Sequence, residues 1–305
     1  MSVPSRLLTD HDRDILLELL EVEVRYLVVV RAMDNVIDRT IYPLKEQEDE
    51  ARDKRRMGLG ITGLANAGEI LGYSYGSPEF MQWTEKVLAC LRDNTYKASA
   101  GLAEEKGPFP LFREEYLRSN FVRTLPASVK KEIRKHGIRN SHLTSIAPTG
   151  TISLVADNVS SGIEPVFSHS YERTIQTFDG PRVEEVKDYA YARGVKGRPA
   201  DSLSVGEHLD VLSLVSHYVD SAVSKTCNVG DDVTYDEFKK IYQDAWEAGC
   251  KGITTFRAAG KRYGILQTVE EKETTEEAAE GVAAESGEKA EACFIDPLTG
   301  QRECG

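Results

Sequence analysis

The chain has 305 residues, room for one large domain or two ordinary ones at roughly 100 to 200 residues each, and 40% of them are hydrophobic, so wholesale disorder is excluded. Its apolar runs, such as Tyr26 to Val30, fall far short of the roughly 18 to 20 residues that span a bilayer, and no charged-then-apolar secretory pattern follows Met1, so a soluble cytoplasmic protein with no membrane association is expected. The formal charge of −12 is lopsided: residues 270–305 hold eleven carboxylates against Lys272, Lys289 and Arg302, and the remainder, at −4, lacks the clustered cations of a nucleic-acid-binding body.

From Leu7 to about Val36, apolar residues recur at three and four, which predicts one long helix. After the polar stretch Glu46 to Arg56, the glycine-rich Met57 to Thr62 reads as a strand or buried turn opening into a helix near Leu64. Residues Pro78 to about Lys106 return to the helical period and stop at Gly107 and Pro108. Two shorter helical patches around Glu114 and Val129 precede Ser141 to Ala147, a strand ended by Pro148. A second β-rich stretch is expected over Val166 to Thr177. Helices are expected over His208 to Ser224 and Tyr235 to Ala248, the latter with a capping box formed by Thr234 and Glu237. Gly249 then hands over to a strand candidate, Gly252 to Arg257. Helices alternating with short strands predict an α/β fold with parallel pairing. Beyond Val269 no aromatic residue occurs until Phe294, and the composition is too polar to offset its ordering entropy. The expected division is therefore a folded part over residues 1–268, an acidic flexible linker over 269–292 and a short cysteine-bearing segment over 293–305.

Four features carry chemistry. Gly58, Gly60 and Gly63 spell G-x-G-x-x-G, but charged residues rather than a hydrophobic strand precede them, and a helix starts where the ribose-binding acid should lie, so close packing is the better reading than nicotinamide binding. Pro148, Thr149, Gly150, Thr151, Ile152 and Ser153 follow a strand: glycine admits an anion to the backbone, and three hydroxyls and nearby amides can donate to phosphate oxygens, although an ordinary polar turn has the same composition. No lysine lies inside the run, so it is not a Walker loop. The five cysteines form no dense framework, which fits a reducing compartment. Cys293 and Cys304, separated by ten residues containing Pro297 and Gly300, could form a swinging dithiol or remain two surface thiols. Cys90, Cys227 and Cys250 lie in helical or helix-end contexts where a buried, inert thiol is expected. Glu164, after Ser160, Ser161 and Gly162, is either a base beside the anion loop or a structural acid, and the six histidines show no metal-ligand spacing.

The run from Arg139 to Phe167, RNSHLTSIAPTGTISLVADNVSSGIEPVF, resembles the substrate-phosphate segment of the large subunit of ribonucleotide reductases, above all the adenosylcobalamin-dependent class. DNVID at Asp34 to Asp38 with Tyr42 and Pro43, RRMGLGITGLANA at Arg55 to Ala67, and KTCNVGDDVTYDEFKKIYQDAWEAGCKGITTFR at Lys225 to Arg257 agree with it, in family order, over most of the chain to about Leu266.

The resemblance implies the C-terminal portion of a ten-stranded α/β barrel, followed by a disordered acidic tail. It implies conversion of ribonucleotides to deoxyribonucleotides by thiyl-radical chemistry, with residues Pro148 to Ser153 on the substrate's di- or triphosphate and Cys293 with Cys304 relaying electrons from an external dithiol such as thioredoxin or glutaredoxin. The spacing of that pair departs from the closer C-x-x-C or C-x4-C of many relatives. The family's radical cysteine, its Asn and Glu neighbours and its two barrel cysteines lie upstream of the first helix, so this chain by itself is expected to be inactive and to need an N-terminal reductase polypeptide. Adenosylcobalamin is the implied cofactor, since Thr254 to Arg257 stand where the iron-dependent class carries adjacent tyrosines and no Tyr-Tyr pair occurs. Rival readings are a nicotinamide oxidoreductase using Gly58 to Gly63 and a non-catalytic assembly or regulatory fragment.

Overall fold

In a computed structural model, residues 23–177, 180–230, 233–257, 267–268, 293–295 and 302–304 are described. The beginning of the first expected helix and the linker over 269–292 lie outside them. The described residues fall into two units, one holding everything before Ser170 and from Lys187 to Arg257, the other residues 170–186 and three short strands near the C-terminus. Among the described residues no helix is long and apolar enough to cross a membrane.

In the first unit, α1 (Glu23–Arg39) leads to α2 (Lys45–Lys54), a surface helix carrying i,i+4 ion pairs such as Lys45–Asp49. The short α3 (Leu64–Ile70) precedes α4 (Pro78–Lys106), whose bounds match the periodicity because its ends are locally encoded. Ser77 accepts the Phe80 amide, Pro78 occupies the first turn, and Gly107 closes the helix at φ +82°. A 3-10 turn over Glu114–Arg118, α5 (Asn120–Thr124) and α6 (Ala127–His136) follow, then the single turn α7 (Ile152–Val155), α8 (Val205–Tyr218) and α9 (Tyr235–Glu247). Both α8 and α9 start in full capping boxes, Ser204 with Glu207 and Thr234 with Glu237.

These helices connect strand segments that run parallel. Residues 57–59 pair with 142–145 through Met57 N to His142 O (3.0 Å) and Ser145 N to Leu59 O (3.0 Å). The second segment pairs in turn with 221–224 through Ile146 N to Ala222 O (3.0 Å) and Ser224 N to Ile146 O (2.9 Å). Strand β3 (Thr226–Asn228), continuing that third segment, is parallel to β4 (Thr254–Phe256), with Cys227 opposite Thr255. Helix and strand therefore alternate as expected of α/β folds. The helix expected to reach Ser224 ends at Tyr218 instead. The Asp220 carboxylate accepts the Leu143 and Thr144 amides at 2.6 and 3.1 Å, drawing the chain into the sheet, after which Val223, Lys225, Cys227 and Val229 alternate inward. Cys227 consequently lies on a strand rather than at a helix end.

In the second unit, the neighbouring strands β1 (Ser170–Thr177) and β2 (Gly180–Lys187) form a sheet with β5 (Gln267–Thr268), which is antiparallel to β1. Strands β6 (Cys293–Ile295) and β7 (Arg302–Cys304) pair antiparallel, with Cys293 in register with Cys304.

Apolar packing of α3, α4 and α8 centres on the buried Phe80, Leu88, Val211 and Leu212, with Ile146 and Val223 from the sheet. A second cluster joins α1, α4 and α6 through Val30, Leu102, Val129 and Ile133. Beside the second cluster, on α1, lies an ionic node. Asp34, fully buried, accepts from Arg55 Nε (2.8 Å), Asn140 Nδ2 (3.1 Å) and Arg139 Nε (3.3 Å), while the Arg55 guanidinium also reaches Asp38 at 2.8 Å. Elsewhere, Glu69 is buried with one oxygen accepting the Arg198 amide (2.7 Å) and the other, among the described residues, without a partner. Burial pushes its carboxyl up to about 7, and Asp188 adds to the effect.

Asp34→Ala, which strands a buried guanidinium, is expected to cost about 3–5 kcal/mol in urea unfolding, and Asp38→Ala, at the half-exposed edge of the node, about 1 kcal/mol or less. Equal costs would deny the node its special place. Because the folded Glu69 binds its proton up to about pH 7 and the unfolded group only to about 4.5, its contribution falls as pH rises through that window. Glu69→Gln should therefore gain stability relative to wild type between about pH 5 and about pH 8 in paired urea titrations. A pH-independent difference would refute the assignment.

Candidate functional site

The strand segment over 142–146 releases the chain at Ala147 and Pro148 into the expected anion loop. Thr149 adopts φ +54°, a left-handed conformation that is unusual for a β-branched residue and costs about 1–3 kcal/mol unless its surroundings hold it. They do: its Oγ1 accepts the Gly162 amide at 2.6 Å and lies 2.9 Å from the Thr62 hydroxyl. Ser153 is buried and turned back on the loop, its amide donating to Thr149 O at 2.9 Å and its hydroxyl to Gly150 O at 3.1 Å. Gly150 and Thr151 sit at the exposed crest. Among the described residues nothing is hydrogen-bonded to their amides or to the amide of Ile152, which with Gly150 is the expected amide donor. Of the three hydroxyls expected to face phosphate, those of Thr149 and Ser153 therefore hold the loop's shape, and that of the exposed Thr151, with three loop amides, has no hydrogen-bond partner among the described residues. Ile152 is exposed beside it and Pro148 has no amide to offer.

A second segment, residues 160–164, forms a strut beneath this loop. Gly162, at φ +55°, could not carry a side chain, since a Cβ would stand 2.9 Å from Ala147 O. The strut is held at one end by Asn66, whose side chain accepts the Ser160 amide (2.6 Å), and by the Gly63 amide on Ser160 O (2.7 Å). At the other end Tyr75 donates to Ile163 O (2.6 Å), and Glu164 accepts the Thr226 amide (2.5 Å) and the Lys225 ammonium (2.9 Å). Thr62, Asn66, Gly162 and Lys225 had no assigned role in the sequence reading. Thr62 could have been noticed as a hydroxyl beside a glycine turn, whereas Lys225 is legible only once its strand register is known.

Lys225 is almost wholly buried and also donates to His208 Nδ1 at 3.0 Å. Burial, with the Lys225 charge adding, pushes His208 down to about 4, so the imidazole is neutral, with Nδ1 accepting and Nε2 facing Ala200 O at 3.3 Å. Burial also lowers the Lys225 ammonium, opposed by Glu164, and raises the neighbouring Cys227 thiol to about 11. Cys90, Cys227 and Cys250 are free thiols, and burial raises Cys250 as well, so neither Cys227 nor Cys250 has thiolate character at neutral pH. Glu164 is engaged by Lys225 and Thr226, which makes it an anchoring acid.

The G-x-G-x-x-G run resolves into packing. Cβ atoms at Gly58 and Gly60 would fall 2.3 Å from Ser145 Oγ and 2.2 Å from Ser145 O, so the glycines let one strand lie close against the next. In the second unit the backbone register of β6 and β7 sets Cys293 opposite Cys304.

Comparison with known proteins gives this geometry a family context. The model of the ribonucleotide reductase barrel domain matches residues 12–193 and 189–256. The vitamin B12-dependent ribonucleoside-diphosphate reductase of Mycobacterium tuberculosis is 34% identical over 273 residues, covering 80% of this chain and 37% of the relative. That of Thermoplasma acidophilum is 31% identical over 268 residues, 77% of this chain and 32% of the relative. The ribonucleoside-diphosphate reductase subunit alpha of Treponema pallidum is 26% identical over 238 residues, 76% of this chain and 28% of the relative. The chain thus spans about a third of the length of these relatives.

Proposed function

The chain belongs to the ribonucleotide reductase barrel-domain family, and from that premise we propose that it is the C-terminal portion of an adenosylcobalamin-dependent ribonucleotide reductase, completed by an N-terminal reductase polypeptide. In this reading it forms part of a closed ten-stranded barrel, works in the cytoplasm and takes a ribonucleoside diphosphate, the substrate class for which its relatives are named. The observation that carries the proposal is the braced loop over residues 148–153, inside the family match, whose Gly150, Thr151 and Ile152 amides have no hydrogen-bond partner among the described residues.

The residues of the chain then divide the work simply. Gly150, Thr151 and Ile152 donate their amides, and Thr151 its hydroxyl, to phosphate oxygens. Thr149 and Ser153 keep those donors aimed, so little ordering is left to be done when substrate arrives. With no lysine in the loop, binding rests on charge-assisted hydrogen bonds, each worth about 1.5–3 kcal/mol. Adenosylcobalamin would supply the radical that initiates the chemistry. The cavity beside β4 and α9, about 390 Å³, and the one on α1, about 440 Å³, are of a size for ligands smaller than a corrinoid. In this reading the cofactor is bound by the completed enzyme.

Cys293 and Cys304 act as the electron relay. Directly opposed antiparallel residues have Cα atoms about 4.5–5.5 Å apart, inside the roughly 4.4–6.8 Å that a disulfide spans, so the β6–β7 register supports reversible pairing despite the long sequence spacing. An external dithiol such as thioredoxin would pass two electrons and two protons to that disulfide and leave as a disulfide itself. The reduced pair would then exchange with the oxidised cysteines of the N-terminal polypeptide.

The direct test is ribonucleotide reduction with adenosylcobalamin and a dithiol, by the chain with and without that polypeptide. Turnover only in the mixture supports the proposal, and none in an intact complex favours a non-catalytic assembly role. Thr151→Val is expected to weaken diphosphate binding roughly tenfold by calorimetry, and unchanged affinity would remove the loop assignment. Cys304→Ser should abolish turnover with thioredoxin and spare it with a small dithiol; equal loss with both reductants would contradict the relay.

A further inference from the structure

Lys225 is an anomaly of register. It occupies an inward position of the extended segment between Val223 and Cys227, both buried, and its own side chain is 1% exposed. An apolar residue there would continue the alternation, and replacing buried ion pairs with well-packed apolar groups is often neutral or stabilising. The ammonium is nevertheless fully partnered: Glu164 Oε2 at 2.9 Å, His208 Nδ1 at 3.0 Å and its neighbour's carbonyl, Thr226 O, at 3.1 Å. A neutral His208 leaves Glu164 as its one ionic partner in this set, and Glu164 ends the strut beneath the anion loop.

The chain of contacts from there to the loop is short. Glu164 and Ile163 are pinned by Lys225, Thr226 and Tyr75; Gly162 follows directly, and its amide donates to Thr149 Oγ1 at 2.6 Å. That bond helps keep Thr149 in its left-handed conformation and so aims the Gly150 and Thr151 amides. Gly162 has holds of its own as well, its amide lying 3.2 Å from Thr62 Oγ1 and its carbonyl accepting the Leu64 amide at 3.4 Å, so the Glu164 end sets its position together with them, while Asn66 and Gly63 hold Ser160.

We infer that Lys225 is a positioning residue for phosphate binding, acting through Glu164 and Gly162 to hold the loop over residues 148–153 in its binding shape. Its ammonium never touches the anion, being sealed beneath the strut; what it contributes is the fixed location of one backbone amide. The inference rests on the phosphate reading of the loop, and the experiment separates the two.

The full chain is compared with Lys225→Met/Glu164→Gln, which removes the charge pair together, and with Lys225→Arg. Three quantities are read: the thermal midpoint, amide exchange at Gly162 by NMR, and calorimetric affinity for inorganic pyrophosphate. The double variant is expected to melt near wild type, to exchange Gly162 roughly tenfold faster and to bind pyrophosphate roughly tenfold more weakly, with Lys225→Arg recovering part of both losses. Should the double variant fail to fold, Glu164→Gln alone is read for the same Gly162 exchange and pyrophosphate binding. Unchanged Gly162 exchange in a folded variant overturns the positioning role whether or not pyrophosphate binds. Absence of pyrophosphate binding by the wild type removes the phosphate reading instead, while leaving the Gly162 comparison to decide the role of Lys225 in shaping the loop.

Discussion

Two parallel strand segments of this protein start from one buried carboxylate. Asp34 on α1 receives Arg55, two residues before the segment over 57–59, and Arg139 with Asn140, which stand one residue short of the segment over 142–145. Asn140 also donates to the Arg55 carbonyl at 3.0 Å, so the starting points of the two strands are fixed to each other as well as to the helix. An ion with this many donors satisfies its desolvation internally, and none of them can move without exposing a charge or an amide to an apolar interior. The loop over residues 148–153 is tied to this node through the second of those strands, at whose end it begins.

A similar device works one strand further on. Asp220 takes the amides of Leu143 and Thr144 and the hydroxyl of Tyr96, and its own amide donates to the Thr144 hydroxyl, so a side chain supplies the sheet contacts at the point where α8 gives way to extended chain. The residues that follow carry Lys225 to Glu164. Strand edges, strut and loop are thus joined by a few buried or half-buried ions, each tying one segment of backbone to the next. The loop itself can then be small and uncharged, since its shape is held by parts of the fold outside it; in the proposed role, those parts aim donors at a phosphate they do not touch.

Glycine plays two distinct roles around the loop. At Gly58 and Gly60 it permits a neighbouring strand to approach closely, which turns a sequence pattern suggestive of dinucleotide binding into a packing feature. At Gly162 it permits a left-handed turn pressed against Ala147 O, and the amide so placed is the one that Thr149 accepts. The same residue type therefore serves the sheet in one place and the site in another, and only its neighbours distinguish the two.

Local signals determined much of this protein from sequence alone. The bounds of α4 follow from Ser77, Pro78 and Gly107, the start of α9 from Thr234 and Glu237, and the α/β alternation from the spacing of apolar residues, because each depends on groups within a few residues of one another. The loop at Pro148 to Ser153 and the family resemblance were legible for the same reason, being contiguous. Tertiary structure alone decided where α8 stops, since the amides that capture Asp220 lie 76 and 77 residues away. It also decided that Thr149 and Ser153 face inward while Thr151 faces out, and that a lysine occupies an interior strand position. Those outcomes depend on partners brought together by folding, such as Gly162 for Thr149 and Glu164 for Lys225, and a buried charge can be recognised only when its counter-charge is in place.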